Sequence, residues 1–126
     1  MMKMHEMKLY AAPFAAIQAR TKTVEMRLYD EKRQALQIGD FLRFTNADTG
    51  ETLLTEILAL HVYPTFDELY KRFDKTALGY KIDEPADPKD MLAYYPQEAI
   101  DKYGVVGIEL FPPKQITEER SCSDGG

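Results

Sequence analysis

The sequence at 22–29, Lys22-Thr23-Val24-Glu25-Met26-Arg27-Leu28-Tyr29, alternates between polar and apolar residues. A period of two is typical of a strand that buries one face. The pattern therefore predicts a strand whose apolar face, made of Val24, Met26 and Leu28, packs on the core. The polar side chains are expected to point together away from the core and to line an open cleft; they are Thr23, Glu25 and Arg27.

Periodicity and turn residues predict the elements on either side of this strand. Residues 30–33 are expected to form a polar loop, and 75–88 an irregular segment of the kind that often carries function. Five strands in antiparallel order with flanking helices predict a mostly β, α+β fold, either a small barrel or an open sheet. The predicted strands lie at 8–10, 22–29, 41–45, 51–63 and 105–111, and the predicted helices at 12–19, after the N-cap Thr65, at 88–94 and at 96–103.

Length and composition predict one globular domain. The 126 residues are 44% hydrophobic, which favours a single domain at 1–112 followed by a flexible tail at 113–126. The one cysteine, Cys122, cannot form an internal disulfide or a cysteine-based metal site, and neither a metal nor a cofactor is expected. No apolar run approaches the roughly 20 residues that a bilayer requires, and no signal peptide is evident, so we expect a cytoplasmic protein without membrane contact.

The charge distribution limits the ligands that the chain can bind. The net charge is −5, which disfavours strong binding to duplex DNA. Residues 1–50 carry eight Lys or Arg against six Asp or Glu, whereas residues 51–126 carry eight against fifteen. An anion site therefore belongs in the first half, and a small or single-stranded ligand is easier to accommodate than an extended duplex.

The residues around the predicted strand at 22–29 form the candidate site. Just after the end of the predicted helix at 12–19, the chain carries a cation, a hydroxyl, a carboxylate and a guanidinium. Together these groups could hold a polar ring with its phosphate or sugar. The alternative is that Glu25 and Arg27 form an ion pair on a solvated strand, worth about 0 to 1 kcal/mol. Lys22 is expected to be exposed, so that its removal weakens binding without lowering stability. The candidate binding residues here are Arg20, Lys22, Thr23, Glu25 and Arg27.

Tyrosines are the candidate stacking residues. Tyr94 and Tyr95 are adjacent and cannot both face the core, so at least one ring should reach the surface or a cleft. Tyr80 and Tyr95 are the candidates for aromatic stacking on a ligand.

The sequence resembles the ASCH domain family, in particular its small stand-alone bacterial branch. The family motif Gly-x-Lys-x-x-Glu-x-Arg is matched at Lys22, Glu25 and Arg27, while Arg20 occupies the position of the glycine. The resemblance implies a PUA-like β-barrel of about five to six strands, with a cleft for RNA or a modified nucleoside. It extends from Met7 to Phe111 through Pro13-Phe14, Glu25 to Arg33, Ile38-Gly39-Asp40, Phe66 to Leu69, Leu78-Gly79-Tyr80, Tyr94-Tyr95 and Lys102 to Ile108.

The resemblance leaves catalysis open. One branch of the family, similar in its Lys-Thr-x-Thr-x-Arg run, hydrolyses acetylcytidine with a lysine, a threonine and a distant glutamate. Lys22 and Thr23 match this run, but Glu25 stands where the reactive threonine would be. The nearest candidate for the distant glutamate is Glu84.

Three functions remain open from the sequence. In the first, the cleft binds RNA or a modified nucleotide, with Lys22 and Arg27 on anionic or carbonyl oxygens and Glu25 accepting from a base amine or a sugar hydroxyl. In the second, the protein is a hydrolase of acylated nucleosides or a weak ribonuclease, with Lys22 and Glu25 as catalytic acid and base. In the third, it is a protein-interaction module whose acidic second half meets a basic partner. Neither the ligand nor the oligomeric state follows from the sequence.

Overall fold

Five strands and five helical segments make up residues 2–113, the part of the chain that the computed structural model describes. None of the helices in this range is long and apolar enough to cross a membrane. The predicted tail falls outside the described residues except for its first residue. The strands are β1 (Met4–Leu9), β2 (Val24–Leu28), β3 (Phe41–Asn46), β4 (Thr52–Tyr63) and β5 (Val105–Leu110). The helices are α1 (Ala11–Gln18), α2 (Glu31–Gln34), α3 (Phe66–Arg72) and α4 (Gln97–Tyr103), with a 3₁₀ helix at Pro88–Ala93.

The strands form one curled half-barrel sheet in the order β1-β3-β4-β5-β2, with flanking helices, and this α+β architecture confirms the predicted fold class. The prediction of antiparallel order throughout is wrong for one pair, because β1 runs parallel to β3. Between these two strands the chain passes through α1, β2 and α2, which provides the long crossover that a parallel pair requires. The strands β1 and β2 lie at the two ends of the sheet, and we call the gap between them the seam.

Two short segments differ from the sequence-based prediction. β1 begins at Met4 rather than at residue 8. The prediction missed its first residues because they lie at an exposed edge and show no clear apolar alternation. Residues 30–33 were expected to be a loop, yet Glu31–Gln34 form the single turn α2, capped by the Asp30 side chain, which accepts a hydrogen bond from the Arg33 amide at 3.2 Å. One helical turn is too short to show a period.

The apolar core lies on both faces of β5 and on one face of β2. Val24 and Met26 pack in a cluster with residues of α3, α4 and the segment after α3. The opposite face of β5 belongs to a second cluster with α1, β1, β3 and β4. Glu25 is paired with Ile108 of that second cluster, and cross-strand partners share a face of the sheet. The polar face of β2 therefore points into the half-barrel rather than toward solvent.

The chain leaves α1 through a residue in the left-handed conformation. The Arg20 amide donates to the Ile17 carbonyl and the Thr21 amide donates to the Ala16 carbonyl, both at 3.0 Å, which is the Schellman arrangement. Arg20 has a φ of 68°, the region where glycine is favoured. The helix therefore ends as it would with glycine at position 20, and Arg20 adopts the strained left-handed backbone that this end requires.

Replacing Arg20 with glycine is expected to stabilise the protein. The substitution removes the left-handed strain of a residue that carries a Cβ, which costs roughly 1 kcal/mol. For a domain of this size, the melting temperature should then rise by about 3 to 5 °C. Arg20→Ala is the matched control, because it removes the charge but keeps the Cβ and should leave stability nearly unchanged. An equal gain in both variants, measured by urea unfolding, would show that charge rather than backbone strain is responsible.

Candidate functional site

A buried carboxylate with two cations lies on the polar face of β2. Glu25 is 4% exposed and Lys22 is 8% exposed. The Lys22 Nζ lies 3.1 Å from Glu25 Oε1, and the Arg27 Nε donates a hydrogen bond to Glu25 Oε2 at 2.6 Å. Each oxygen of the carboxylate therefore has its own cation. We call Lys22, Glu25 and Arg27 the charged triad.

The electrostatics of the triad keep the carboxylate ionised. Burial alone would raise the pKa of Glu25, but the charges and hydrogen bonds of Lys22 and Arg27 outweigh it and lower that pKa. Burial alone would likewise lower the pKa of the Arg27 guanidinium, and the Glu25 carboxylate raises it instead. The triad thus holds two positive charges and one negative charge in a region that water hardly reaches.

Arg27 also joins the two edges of the sheet. Its Nη2 donates a hydrogen bond to the main-chain carbonyl of Lys8 at 2.9 Å. Lys8 belongs to β1 and Arg27 to β2, and these two strands are not neighbours in the sheet. The guanidinium therefore bridges the seam with one donor while another holds Glu25.

The segment after α3 fixes the position of Lys22. The amides of Thr23 and Val24 both donate to the Ala77 carbonyl, at 2.9 and 3.0 Å. Gly79 lies against the Lys22 side chain, so closely that an added Cβ would stand 3.0 Å from the Lys22 Cδ. The irregular segment predicted at 75–88 thus forms one wall of the site.

Two expectations about exposure are wrong. Lys22 was predicted to be a surface residue and Glu25 to line an open cleft, yet both side chains are buried. The sequence pattern distinguishes one face of β2 from the other, but it cannot show that a second layer of structure covers each face. The predicted ion pair between Glu25 and Arg27 is present, although in the interior rather than on a solvated strand.

Of the other predicted site residues, Arg20 and Thr23 are exposed, whereas Tyr95 is half-buried. Arg20 and Thr23 flank Lys22. The Tyr95 ring is stacked on Phe66 at 6.2 Å and 16°. Burial raises the pKa of the Tyr95 hydroxyl, and the charge of Arg27 opposes this rise, which places Tyr95 in the electrostatic field of the triad.

Tyr80 and Glu84 have other partners. The Tyr80 hydroxyl is hydrogen-bonded to the Tyr70 hydroxyl at 2.8 Å and donates to Asp90 Oδ2 at 2.7 Å. Burial and these two neighbours raise the pKa of Tyr80. Glu84 is exposed, and its Oε1 accepts from the Lys81 amide at 2.6 Å. Neither side chain is hydrogen-bonded to the triad.

Lys8 and Gly79 also contribute to the site, although neither was among the predicted site residues. Lys8 contributes only its main-chain carbonyl, and a contact of this kind leaves no signal in the residue type. Gly79 has a φ of 110°, and a glycine inside an irregular segment could have indicated a close approach of another chain segment. Within residues 2–113, no group of three or more His, Cys, Asp or Glu side chains could hold a metal ion.

The curled half-barrel sheet with flanking helices matches an ASCH/PUA-like fold. The model of the ASCH domain matches residues 7–114. The chain therefore belongs to the ASCH domain family.

Solved structures agree with this assignment. The crystal structure of hypothetical protein PH0355 is 30% identical to this chain, with a TM-score of 0.73 over 88% of this chain and 99% of that chain. The solution structure of protein PF0455 from Pyrococcus furiosus is also 30% identical, with a TM-score of 0.67 over 86% and 96% of the two chains. The ASCH protein from Zymomonas mobilis is 11% identical and shares the fold, with a TM-score of 0.63 over 94% and 77%. No curated protein matches the chain significantly.

Gly79→Ala is expected to disturb the triad as well as the backbone. Its φ of 110° strains any residue with a Cβ, and the new methyl would press on the Lys22 Cδ. Gly50→Ala is the control, because Gly50 also has a positive φ but an added Cβ there meets nothing within 4 Å. Both variants should lose about 1 kcal/mol through strain, and Gly79→Ala should lose more. Equal losses in urea unfolding would indicate that Lys22 yields to the methyl group without cost.

Acid is expected to destabilise the protein through Glu25. Because its native pKa is lowered, the ionised carboxylate stabilises the fold fully above the unfolded pKa of about 4.3. This contribution is lost as the pH falls through the native pKa. Glu25→Gln should be less stable near neutral pH by about 3 kcal/mol, since two buried cations lose their partner.

Urea unfolding between about pH 6 and about pH 3 measures this dependence. The decline in the free energy of unfolding should be shallower in Glu25→Gln than in the parent. Asp40→Asn is the comparison variant. Burial would raise the pKa of Asp40, but hydrogen bonds from His5 and two amides lower it, so the decline should be shallower in this variant as well. Parallel curves for Glu25→Gln and the parent would contradict the assignment of an ionised, stabilising Glu25.

Proposed function

We propose that this ASCH domain protein binds single-stranded RNA or a modified nucleotide at the seam, around Lys22, Glu25 and Arg27. The observation that carries the proposal is the charged triad itself, which is buried, carries an excess of one positive charge and lies in an otherwise acidic chain. Membership of the ASCH domain family, whose PUA-like fold is associated with RNA, supports the same conclusion.

The burial of the triad supports a role beyond stability. Removing three charged groups from water is costly, and buried ion pairs contribute little net stability compared with apolar residues of the same volume. Clusters of buried charges with shifted pKa values are typical of functional sites. If the role were only structural, apolar residues on this face of β2 would stabilise the fold as well or better.

The donors of the triad suit an oxygen-rich ligand. Arg27 uses its Nε for Glu25 and its Nη2 for Lys8, so a guanidinium with five N–H groups keeps donors for a phosphate or a base carbonyl. The Lys22 ammonium likewise has more donors than its one bond to Glu25 requires. Glu25 can accept from a base amine or a sugar hydroxyl, and the exposed Arg20 and Thr23 provide further contacts at the rim.

The same geometry favours binding over hydrolysis. A general base works best with a pKa near the operating pH, whereas the pKa of Glu25 is lowered and each of its oxygens already holds a cation. Glu84, the candidate for a distant catalytic glutamate, is bonded to Lys81 instead. We therefore expect only slow release of acetate from acetylcytidine.

Binding is tested by fluorescence anisotropy with a labelled single-stranded RNA, competed by free nucleosides. Two variants address the site: Lys22→Met removes a cation of the triad and Arg20→Ala removes one at the rim. Lys71→Ala is the matched control, because it deletes an equally charged exposed residue on α3. We expect the two site variants to weaken binding about fivefold or more, and the control to change it less than twofold.

Stability must be measured in parallel because Lys22 is buried. Lys22→Met is expected to lose about 3 kcal/mol, so binding is compared at a temperature where circular dichroism shows it folded. Arg20→Ala should remain as stable as the parent. Failure of the parent protein to bind RNA or any nucleotide would contradict the proposal, and so would unchanged affinity in both site variants. Binding to a basic protein that nucleosides do not displace would favour a protein-interaction module.

A further inference from the structure

Two tyrosines from distant parts of the chain expose their rings side by side. Tyr10 is 65% exposed and Tyr94 is 59% exposed. Their ring centroids are 6.2 Å apart and the ring planes are inclined by 38°. Tyr10 lies between β1 and α1, and Tyr94 follows the 3₁₀ helix. Because the rings are tilted rather than stacked flat, each retains most of its surface for another molecule.

The chain neighbours of both tyrosines are connected to the charged triad. Tyr10 comes two residues after Lys8, whose carbonyl holds Arg27 across the seam. Tyr94 directly precedes Tyr95, whose hydroxyl is influenced by the charges of Arg27 and Glu25. Both tyrosines are thus close in sequence to residues at the seam, Tyr10 to the strand that Arg27 bridges to and Tyr94 to a tyrosine influenced by Arg27.

Packing alone does not explain this exposure. Aromatic side chains stabilise a fold mainly through the apolar area that they bury, and these two rings bury little. Single exposed apolar residues are ordinary, whereas two exposed aromatic rings side by side are typical of sites that stack nucleobases. The two tyrosines predicted for stacking are less available, because the Tyr95 ring is already stacked on Phe66 and the Tyr80 hydroxyl is held by Tyr70 and Asp90.

We propose that Tyr10 and Tyr94 form a stacking platform for an unpaired nucleobase whose phosphate or sugar contacts the triad. This inference rests on the proposed function and extends it, since it assigns the base to these two rings. The base comes either from a free nucleotide or from a single strand of RNA, and the experiment distinguishes these sources. Exposed cations at Lys8 and Arg20 complement the phosphate that accompanies such a base.

The chain contains no tryptophan, so one introduced tryptophan gives a clean fluorescence signal. Tyr94→Trp keeps a flat aromatic ring and should bind as well as the parent, with its emission quenched when a base stacks on it. Phe111→Trp is the control reporter, because Phe111 lines a separate cavity of about 250 Å³ with Phe41 and Leu54 and should not be quenched. Titration with a mononucleotide and with a short single-stranded RNA identifies the source of the base.

Affinity measurements on matched variants complete the test. Tyr10→Ala and Tyr94→Ala should each weaken binding about fivefold or more, whereas Tyr10→Phe and Tyr94→Phe should retain it, because the ring and not the hydroxyl stacks. Circular dichroism of the Ala variants themselves shows whether a loss of binding is due to unfolding, which is not expected because both rings are largely exposed.

The outcomes separate this inference from the proposed function. If the parent binds RNA or a nucleotide, but the Ala variants bind equally well and Tyr94→Trp is not quenched, the platform is refuted and the proposed function stands. If the parent binds neither probe, both are refuted. Quenching by the mononucleotide supports a free nucleotide as ligand, and quenching by the RNA alone supports a single strand.

Discussion

The carboxylate of Glu25 lies in the protein interior with one oxygen on Lys22 and the other on Arg27, and the position of β2 depends on this arrangement. The apolar face of β2 is covered by α3, α4 and the segment after α3, so its polar face has to lie inside the half-barrel. A lone carboxylate there would be very costly. With both cations in place the carboxylate remains charged, and the same guanidinium ties β2 to β1 across the seam.

Much of the fold follows from local sequence patterns. The alternation at 22–29, the turn at 46–50 and the Thr65 cap each determine structure within a few residues, and the structure contains all three. The direction of β1 does not follow in this way, because it depends on which strand the segment meets after a long crossover. The one-turn helix α2 is also beyond local prediction, since four residues cannot display a helical period.

The sequence predicted which residues form the candidate site, but it did not predict their burial. Glu25 and Arg27 share one face of β2, and the period of two is sufficient to place them together. Lys22 precedes β2 and is out of phase with them, so its contact with Glu25 depends on the course of the chain between α1 and β2. Their burial depends on segments far away in the sequence, such as the one carrying Ala77 and Gly79. The role of the Lys8 carbonyl is invisible to residue-type reasoning, because every residue has one.

The register between β2 and β5 determines when the site can form as the chain folds. Glu25 is paired with Ile108, so residues 26–107 lie in the loop that this pairing closes. Closing a long loop has an entropic cost that must be met before the contacts form, and such pairings slow folding. The hairpin of β3 and β4 closes a short loop and can form early. We therefore expect the charges of β2 to remain hydrated until late in folding, so that their dehydration contributes to the final barrier.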